Sequence, residues 1–457
     1  MKIHRILIAN RGEIALRVIR TCRSLGIETV LAASDADLDS VPARLADKAI
    51  RIGPSPAGQS YLNVEAVVAA AKATHADALH PGYGFLSENV RLARAVAEAG
   101  ILFIGPEEAH LAGVGDKLRA REHALAAGLP VVPGGPVDSV EAALSLAKDI
   151  GYPVLIKAVG GGGGRGMKRI QDDSEVEQAV ALSVAEAEAA FGDARIYLER
   201  FVEHGRHVEV QILGDGRGNI IHLRERDCSI QRRYQKLVEE APAPHLDDAF
   251  RVSILEAAVK FGRHLKYRSA GTIEFLLDVD RREFYFLEMN ARIQVEHPVT
   301  EQITGIDLVA EQIAIAESGQ LRLRQEDVRF AGHAIECRIN AEAPDKDFRP
   351  SPGTVNRALF PAGKGVRVDT HIEQGTAVPP FYDSLLAKII VHGQSRAEAV
   401  ERMALALKNC EIEGVATNIA IHAALMEDTD FRKGGVTTAF LHAFLAHRGP
   451  GRITETS

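Results

Sequence analysis

Between Glu288 and Glu296 the chain reads Glu-Met-Asn-Ala-Arg-Ile-Gln-Val-Glu, directly after the apolar run Phe284-Tyr285-Phe286-Leu287. Side chains alternate along a strand, so an extended segment here turns Glu288, Asn290, Arg292, Gln294 and Glu296 to one face. Two carboxylates, two amides and a guanidinium then stand in a row at the end of a buried strand. A packed core has no use for such a row, because each unpaired buried polar group costs stability. A site that binds a metal ion and an oxyanion uses all of it.

A second stretch, Thr272-Ile273-Glu274-Phe275-Leu276-Leu277-Asp278, is joined to residues 283–290 by the polar connector 279–282. A hairpin in this register sets Glu274 against Glu288, with Cβ atoms about 4.5–5.5 Å apart. Like charges that close repel unless a cation lies between them. Oxygen ligands, with Asn290 beside them, suit Mg²⁺ or Mn²⁺ bridging nucleotide phosphates. The competing reading, an exposed hairpin end with unpaired acids, is disfavoured by the aromatic filling of the second strand. Arg292, Lys236 and Arg338 together would suit a small oxyanion such as bicarbonate, with a neighbouring carboxylate as its general base. Taken singly, each reads as an ordinary salt-bridge partner.

Residues 160–166 read Gly-Gly-Gly-Gly-Gly-Arg-Gly. Five consecutive glycines let backbone N–H groups close over a phosphate chain without side-chain clashes. No Gly-Lys-Ser/Thr follows, so this is not a Walker A loop. The expected flanking strands, and the lack of a following helix, exclude a Rossmann fingerprint. A flexible linker is the alternative, but linkers usually carry serine and seldom join two apolar strands. Lys157 ends the apolar run 153–156 just before the loop, and Lys117 begins an expected helix. Either can reach a nucleotide phosphate; alone, each reads as a solvated strand or helix end.

These residues need a scaffold of several domains, because 457 residues exceed one compact core. A hydrophobic content of 46% with 25% charged residues is that of a soluble globular protein. The formal net charge of -8 argues against a nucleic-acid binder. No apolar run approaches the roughly 20 residues that span a bilayer, and the N-terminus lacks a signal-peptide pattern. Cys22, Cys228, Cys337 and Cys410 form no CxxC pair, which fits a reducing cytoplasm. The first 110 residues alternate strand (6–9, 29–33, 78–80, 101–105) with helix (from 14, and 64–74), the pattern of a parallel, doubly wound sheet. Strand-like runs dominate after an alanine-rich helix at 175–190, and a helix at 308–318 closes that block. Short strands and turns are expected from 331 onward, then a helix at 396–407. Boundaries are expected near 113 and 331.

In this order the segments resemble biotin carboxylase, the ATP-grasp component of biotin-dependent carboxylases. The resemblance runs nearly end to end. It is carried by Ala9-Asn10-Arg11-Gly12-Glu13-Ile14-Ala15, by His80-Pro81-Gly82-Tyr83-Gly84-Phe85-Leu86-Ser87-Glu88-Asn89 and by the glycine loop. It continues in Glu225-Arg226-Asp227-Cys228-Ser229, Glu239-Glu240-Ala241-Pro242-Ala243-Pro244, the run from Arg292 to Glu301, and Tyr382-Asp383-Ser384. It implies a multidomain α/β and α+β fold: a Rossmann-like domain (1–113), an ATP-grasp domain (114–330) with a mobile lid at about 131–203, and a mixed α+β C-terminal domain (331–447) before a tail (448–457). It also implies roles. Lys117, Lys157, Gly163, Gly164, Glu199, Arg200, Phe201, Val202, His207 and Tyr234 match ATP-binding positions, with Glu274 and Glu288. Glu274, Glu288 and Asn290 match the metal site for Mg²⁺ or Mn²⁺. Lys236, Arg292, Gln294, Val295 and Arg338 match the bicarbonate pocket, Glu296 the general base, and Tyr83 and Arg338 the biotin side.

The implied chemistry is attack of bicarbonate, deprotonated by Glu296, on the γ-phosphate of ATP to give carboxyphosphate and ADP. Carboxyphosphate then yields CO₂ and a phosphate that takes the biotin ureido proton, and biotin attacks the CO₂. Tyr234 stands where the family usually has histidine, and Ser24 and Lys364 where some relatives carry acidic and aromatic dimer contacts. None of the methionines lies in a Met-Lys-Met biotinylation context. The expectation is therefore a homodimeric subunit that meets a biotin carboxyl carrier protein and a carboxyltransferase as separate chains. A carboxylate–amine ligase of the ATP-grasp type and a silent scaffold paralogue are the alternatives.

Overall fold

The computed structural model describes residues 2–160 and 167–448. Its N-terminal part is a five-stranded sheet in the spatial order Lys48–Gly53, Glu28–Ser34, Arg5–Ile8, Ala78–His80, Leu102–Phe103, parallel at every pairing. Alternation along the strands sends Leu7, Val30 and Leu79 into one core and Ile6, Ile8 and Leu31 into another. Helices therefore cover both faces, as the strand–helix alternation predicts. The strand expected over 101–105 contracts to two residues at the sheet edge.

The next part is built on one antiparallel sheet of eight strands. Its order is Glu283–Asn290, Arg268–Asp278, Gly205–Asp215, Ile220–Arg232, Gln235–Ala241, His333–Asn340, Leu385–Gly393, Val366–Thr370. The sheet runs through residue 331 without a break. Short strands and turns were expected there, but His333–Asn340 and Leu385–Gly393 are long and central, because almost every residue in them is buried on one face or the other. The apolar stripe Ile254, Leu255, Ala258, Phe261 and Gly262 of helix Asp248–Leu265 packs against this sheet. This helix lies in a region read above as strand-dominated, although its spacing fits a helical period.

Residues 131–203 form a small unit of their own. Four antiparallel strands, in the order Gly134–Val137, Ile196–Arg200, Val154–Ala158, Met167–Ile170, carry helices Val140–Ile150 and Asp173–Phe191. Its core of Ile156, Ile170, Val176, Ala187 and Leu198 is separate from the others. Strands flank both sides of the glycine run, as expected, with Lys157 opposite Met167. Gly163 and Gly164 lie outside the described residues. No helix among the described residues is long and apolar enough to cross a membrane.

Leu198 is fully buried in an inner strand of this unit. Leu198→Ala is expected to cost about 2–5 kcal/mol locally, through lost transfer energy plus a cavity. Hydrogen exchange should rise within residues 131–203 and stay unchanged in the eight-stranded sheet.

Candidate active site

The hairpin forms in the expected register: Glu274 pairs with Glu288 across the two strands, and Thr272 with Asn290. The single-face row does not persist. The strand ends at Asn290, residues 291–296 are irregular, and Glu296 is the N-cap of helix His297–Thr304, with Pro298 in its first turn. Proline's fixed φ favours that helix start over continued extension. A β-bulge between Glu274 and Phe275 also interrupts the pairing. The polar side chains still converge, through hydrogen bonds rather than strand period. Arg292 donates to Asn290 Oδ1 at 2.8 Å and to Gln294 Oε1 at 2.7 Å, and Asn290 and Gln294 donate to Glu274 at 2.8 and 3.2 Å. Glu88, from the N-terminal part, braces the turn by accepting from the Ala291 N–H at 2.8 Å and from Arg292 Nε at 3.0 Å.

At the centre is the Lys236 ammonium. It lies 2.5 Å from Glu209, 2.9 Å from Glu274 and 2.7 Å from Glu296, and all three carboxylates are buried. Arg338 takes the other oxygen of Glu296 at 2.9 Å and reaches Glu239 at 2.5 Å. Burial by itself would raise the Glu296 carboxyl. Lys236, Arg338 and Arg226 outweigh burial and hold it well below the ordinary carboxylate range. The same logic lowers Glu274, where Lys236 and His207 overcome burial. Two groups of potential metal donors, His207–Glu209–Glu274 and Glu209–Cys228–Glu296, fall inside this cluster. Lys236 already bonds to Glu209, Glu274 and Glu296, so the cation that neutralises these donors is an ammonium.

A second cluster lies toward the small four-stranded unit. Lys157 pairs with Glu199, and Lys117 Nζ is 3.8 Å from Glu288. Burial disfavours the Lys157 charge, but Glu199, Tyr197 and Glu288 raise its pKa above the ordinary lysine value. The Glu288 side chain is 41% exposed, so this edge of the hairpin reaches solvent. The donor chemistry fits a hard divalent ion: two carboxylates face each other across a strand pair with an amide alongside. In this arrangement the Asn290 oxygen is engaged by Arg292.

The other expected residues are less central. His207 reaches Glu274 at 3.0 Å. Arg200 pairs with Asp278 at 3.3 Å, and the Phe201 ring lies under Arg169. Val202 is half-buried on the connector that follows. Tyr234 is 56% exposed at the tip of the turn after Arg232, with φ +65. The Tyr83 hydroxyl donates to Glu13, and Arg338 is near enough to act on that phenol.

With the geometry in place, comparison with known proteins is decisive. Three family models match almost the whole chain: the biotin carboxylase N-terminal domain over residues 2–111, the carbamoyl-phosphate synthase L chain ATP-binding domain over 116–324, and the biotin carboxylase C-terminal domain over 336–443. The chain belongs to the biotin carboxylase family. It is 52% identical over 443 residues to the biotin carboxylase of Nostoc sp., covering 96% of this chain and 99% of that one. Among solved structures it is similar to the Campylobacter jejuni biotin carboxylase in complex with beta-gamma-ATP. The TM-score is 0.94 at 44% identity, over 97% of this chain and 99% of that one. It is equally similar to the biotin carboxylase domain dimer of the Hydrogenobacter thermophilus 2-oxoglutarate carboxylase, solved with MgADP, ADP and bicarbonate. There the TM-score is 0.94 at 46% identity, over the whole of both chains. The architecture is thus the multidomain α/β arrangement of biotin carboxylases: parallel-sheet N-terminal domain, ATP-grasp domain, C-terminal domain.

Several residues that hold this biotin carboxylase site together were not singled out in the sequence. Glu209 receives both Lys236 and Arg226, and Arg226 is wholly buried with further bonds to Gln211, Thr300 and Thr272 at 2.8–3.0 Å. A signal existed. In residues 207–212, His-Val-Glu-Val-Gln-Ile, polar groups alternate with aliphatic ones, a polar face on a strand that is otherwise core. Glu239 and Glu240 show the same alternation at its sharpest. Burial, only partly offset by Arg338, pushes Glu239 up to about 7. Its neighbour Glu240 points to the opposite face, where His333 at 2.7 Å and Arg396 at 2.6 Å overcome burial and hold it down at about 2.

A depressed carboxyl pKa stabilises the fold above the unfolded value and loses that contribution as pH falls through the folded value. Lowering Glu240 from 4.5 to about 2 corresponds to about 3 kcal/mol, as an order of magnitude. Glu240→Gln should therefore be destabilising at pH 7, with the difference from wild type shrinking between pH 4.5 and about 2. Denaturant titrations across that range measure it.

Proposed function

We propose that this chain carboxylates biotin at the expense of ATP and bicarbonate, the first half-reaction of a biotin-dependent carboxylase. One observation carries the reading: a buried carboxylate, Glu296, is kept ionised by Lys236 and Arg338 and stands beside the anion-seeking pair Arg292 and Gln294. The relatives solved with adenine nucleotides and bicarbonate support it. A carboxylate–amine ligase has no comparable use for Arg338 beside the base, and a silent scaffold has none for a charge cluster this costly to bury.

Bicarbonate entering among Lys236, Arg292, Gln294 and the Val295 backbone brings a negative charge that competes with Glu296 for the same cations. Their hold on Glu296 loosens, its pKa climbs, and it accepts the bicarbonate proton. The freed oxygen attacks the γ-phosphorus. An O–P bond forms as the bond to the β–γ bridging oxygen breaks, and ADP leaves. Lys117 and Lys157 neutralise the phosphates. Glu274 and Glu288, with Asn290, would hold Mg²⁺ or Mn²⁺, which supplies charge neutralisation for the polyphosphate. Carboxyphosphate then breaks into CO₂ and phosphate. That phosphate takes the ureido proton of biotin, whose developing negative oxygen Arg338 stabilises, and the ureido nitrogen attacks CO₂. The small unit of residues 131–203 acts as the lid that keeps water from the labile intermediate.

Biotin is taken to arrive on a carrier protein, and a carboxyltransferase to use the product; no Met-Lys-Met segment occurs in this chain. The reading includes a homodimer in the cytoplasm. Cys22, Cys228, Cys337 and Cys410 are all buried and free, which suits a reducing compartment.

ATP cleavage should require bicarbonate and be stimulated by free biotin; a turnover indifferent to both rejects the assignment. Arg292→Ala should lower carboxylation about a hundredfold or more while nucleotide affinity changes little, because oriented charge at the reacting anion is worth several kcal/mol. Equal losses of both would move Arg292 out of the anion pocket. Glu288→Lys should abolish Mg²⁺-dependent turnover, and unchanged dependence on metal concentration would remove this residue from the metal site.

A further inference from the structure

Lys388 belongs to none of the motifs that carry the proposed reaction, yet it is a wholly buried cation next to them. It lies mid-strand in Leu385–Gly393 and is 0% exposed. An ammonium there is expensive unless its bonds are made. Its Nζ donates to the Val295 carbonyl at 2.9 Å and pairs with Glu13 at 3.0 Å. Glu13, in the first turn of helix Gly12–Ser24, also accepts from the Tyr83 hydroxyl, and the ammonium lies 5.9 Å from the Tyr83 ring centroid. Other acids nearby do not claim it. Asp369, its cross-strand neighbour, is held by Arg367 at 2.6 and 3.0 Å. Both oxygens of buried Glu336 lack a hydrogen-bond partner, and burial holds that carboxyl well above the ordinary range.

Because a peptide unit is planar, fixing the Val295 carbonyl fixes the plane through to the Glu296 Cα. Lys388 thus sets the backbone end of Glu296, while Lys236 and Arg338 grip its carboxylate. We propose that Lys388 is a positioning residue: it orients the Val295–Glu296 peptide for bicarbonate and, through Glu13, ties that pocket to Tyr83 on the biotin side. This rests on the carboxylation reading above.

The test is steady-state kinetics of the full chain carrying Lys388→Met or Lys388→Arg, with thermal melting as the folding control. Burial already raises the Glu13 and Glu336 carboxyls, so both can take a proton once Lys388 is gone, and the Met variant should fold. Lys388→Met should raise the KM for bicarbonate and lower kcat by about tenfold or more, with the KM for ATP within about twofold, since misplacement of about 1 Å costs rates of this order. Lys388→Arg, which keeps a donor for the Val295 carbonyl, should recover part of the loss. An unchanged bicarbonate KM overturns the proposal, as does a parallel rise in both KM values with Arg no better than Met. If Lys388→Met does not fold, Glu13→Gln decides: the KM values for bicarbonate and biotin should rise together, and unchanged values overturn the relay. A wild-type chain without bicarbonate-dependent ATP cleavage would instead reject the carboxylation reading itself.

Discussion

The structure depends on neutralising carboxylates that have been taken out of water. Glu209, Glu239, Glu274, Glu296 and Glu336 are buried within one sheet and the turn beside it. Four of them are met by Lys236, Arg226, Arg338 and hydrogen-bonding amides. The fifth, Glu336, has no hydrogen-bond partner on either oxygen, and burial pushes its carboxyl well above the ordinary range. Breaking one such pair leaves a bare buried charge, at a cost of about 3–5 kcal/mol. Replacing both partners of a buried pair by apolar groups of similar size is often neutral or stabilising, so such a cluster is not by itself a source of stability. Its cations are already matched by carboxylates, and an incoming anion must share them.

Antiparallel pairing is what makes this density of charge possible. Several strands of the eight-stranded sheet turn polar residues to one shared face, at alternate positions in strand Gly205–Asp215. His207, Glu209 and Gln211 come from one strand, Lys236 from another and Arg338 from a third. Their approach is set by register, so the site is as rigid as the sheet. Lys157 differs, because it sits on the small unit that has its own core, while Lys117 and Glu288 lie outside that unit. Glu88 and Glu13 show that the N-terminal domain is a structural wall of the site, bracing Arg292 on one side and Lys388 on the other.

Much of this was legible in the sequence, for identifiable reasons. The hairpin that faces Glu274 with Glu288 could be read because aromatic strands and a polar connector leave one sensible register. The strands flanking the glycine run, the helix at Lys117 and the parallel N-terminal sheet followed from period and turn chemistry. The row from Glu288 to Glu296 was read as extended, but Pro298 starts a helix and the chain turns before it, so Asn290, Arg292 and Gln294 meet through hydrogen bonds instead. Helix Asp248–Leu265 was passed over among neighbouring strands even though its apolar stripe is regular. Lys388 was passed over because it sits in an aliphatic strand with no motif around it, and Glu209 because the polar alternation of residues 207–212 was not followed.

By itself the sequence determined which residue types are present to do chemistry, their local spacing, the glycine run, and membership in a family whose motifs extend through the chain. Those are properties of short segments, where period and composition act directly. Only the tertiary structure decided which acid answers which base. Glu239 and Glu240 are adjacent, yet one lies at about 7 and the other at about 2, because consecutive strand residues face opposite sides of the sheet and meet different cations. The Lys236 triad joins residues 27 to 60 positions apart, and Lys388 reaches Glu13 and Val295 across still longer separations. Charge interactions depend on distance in space and on burial, and both are set by packing.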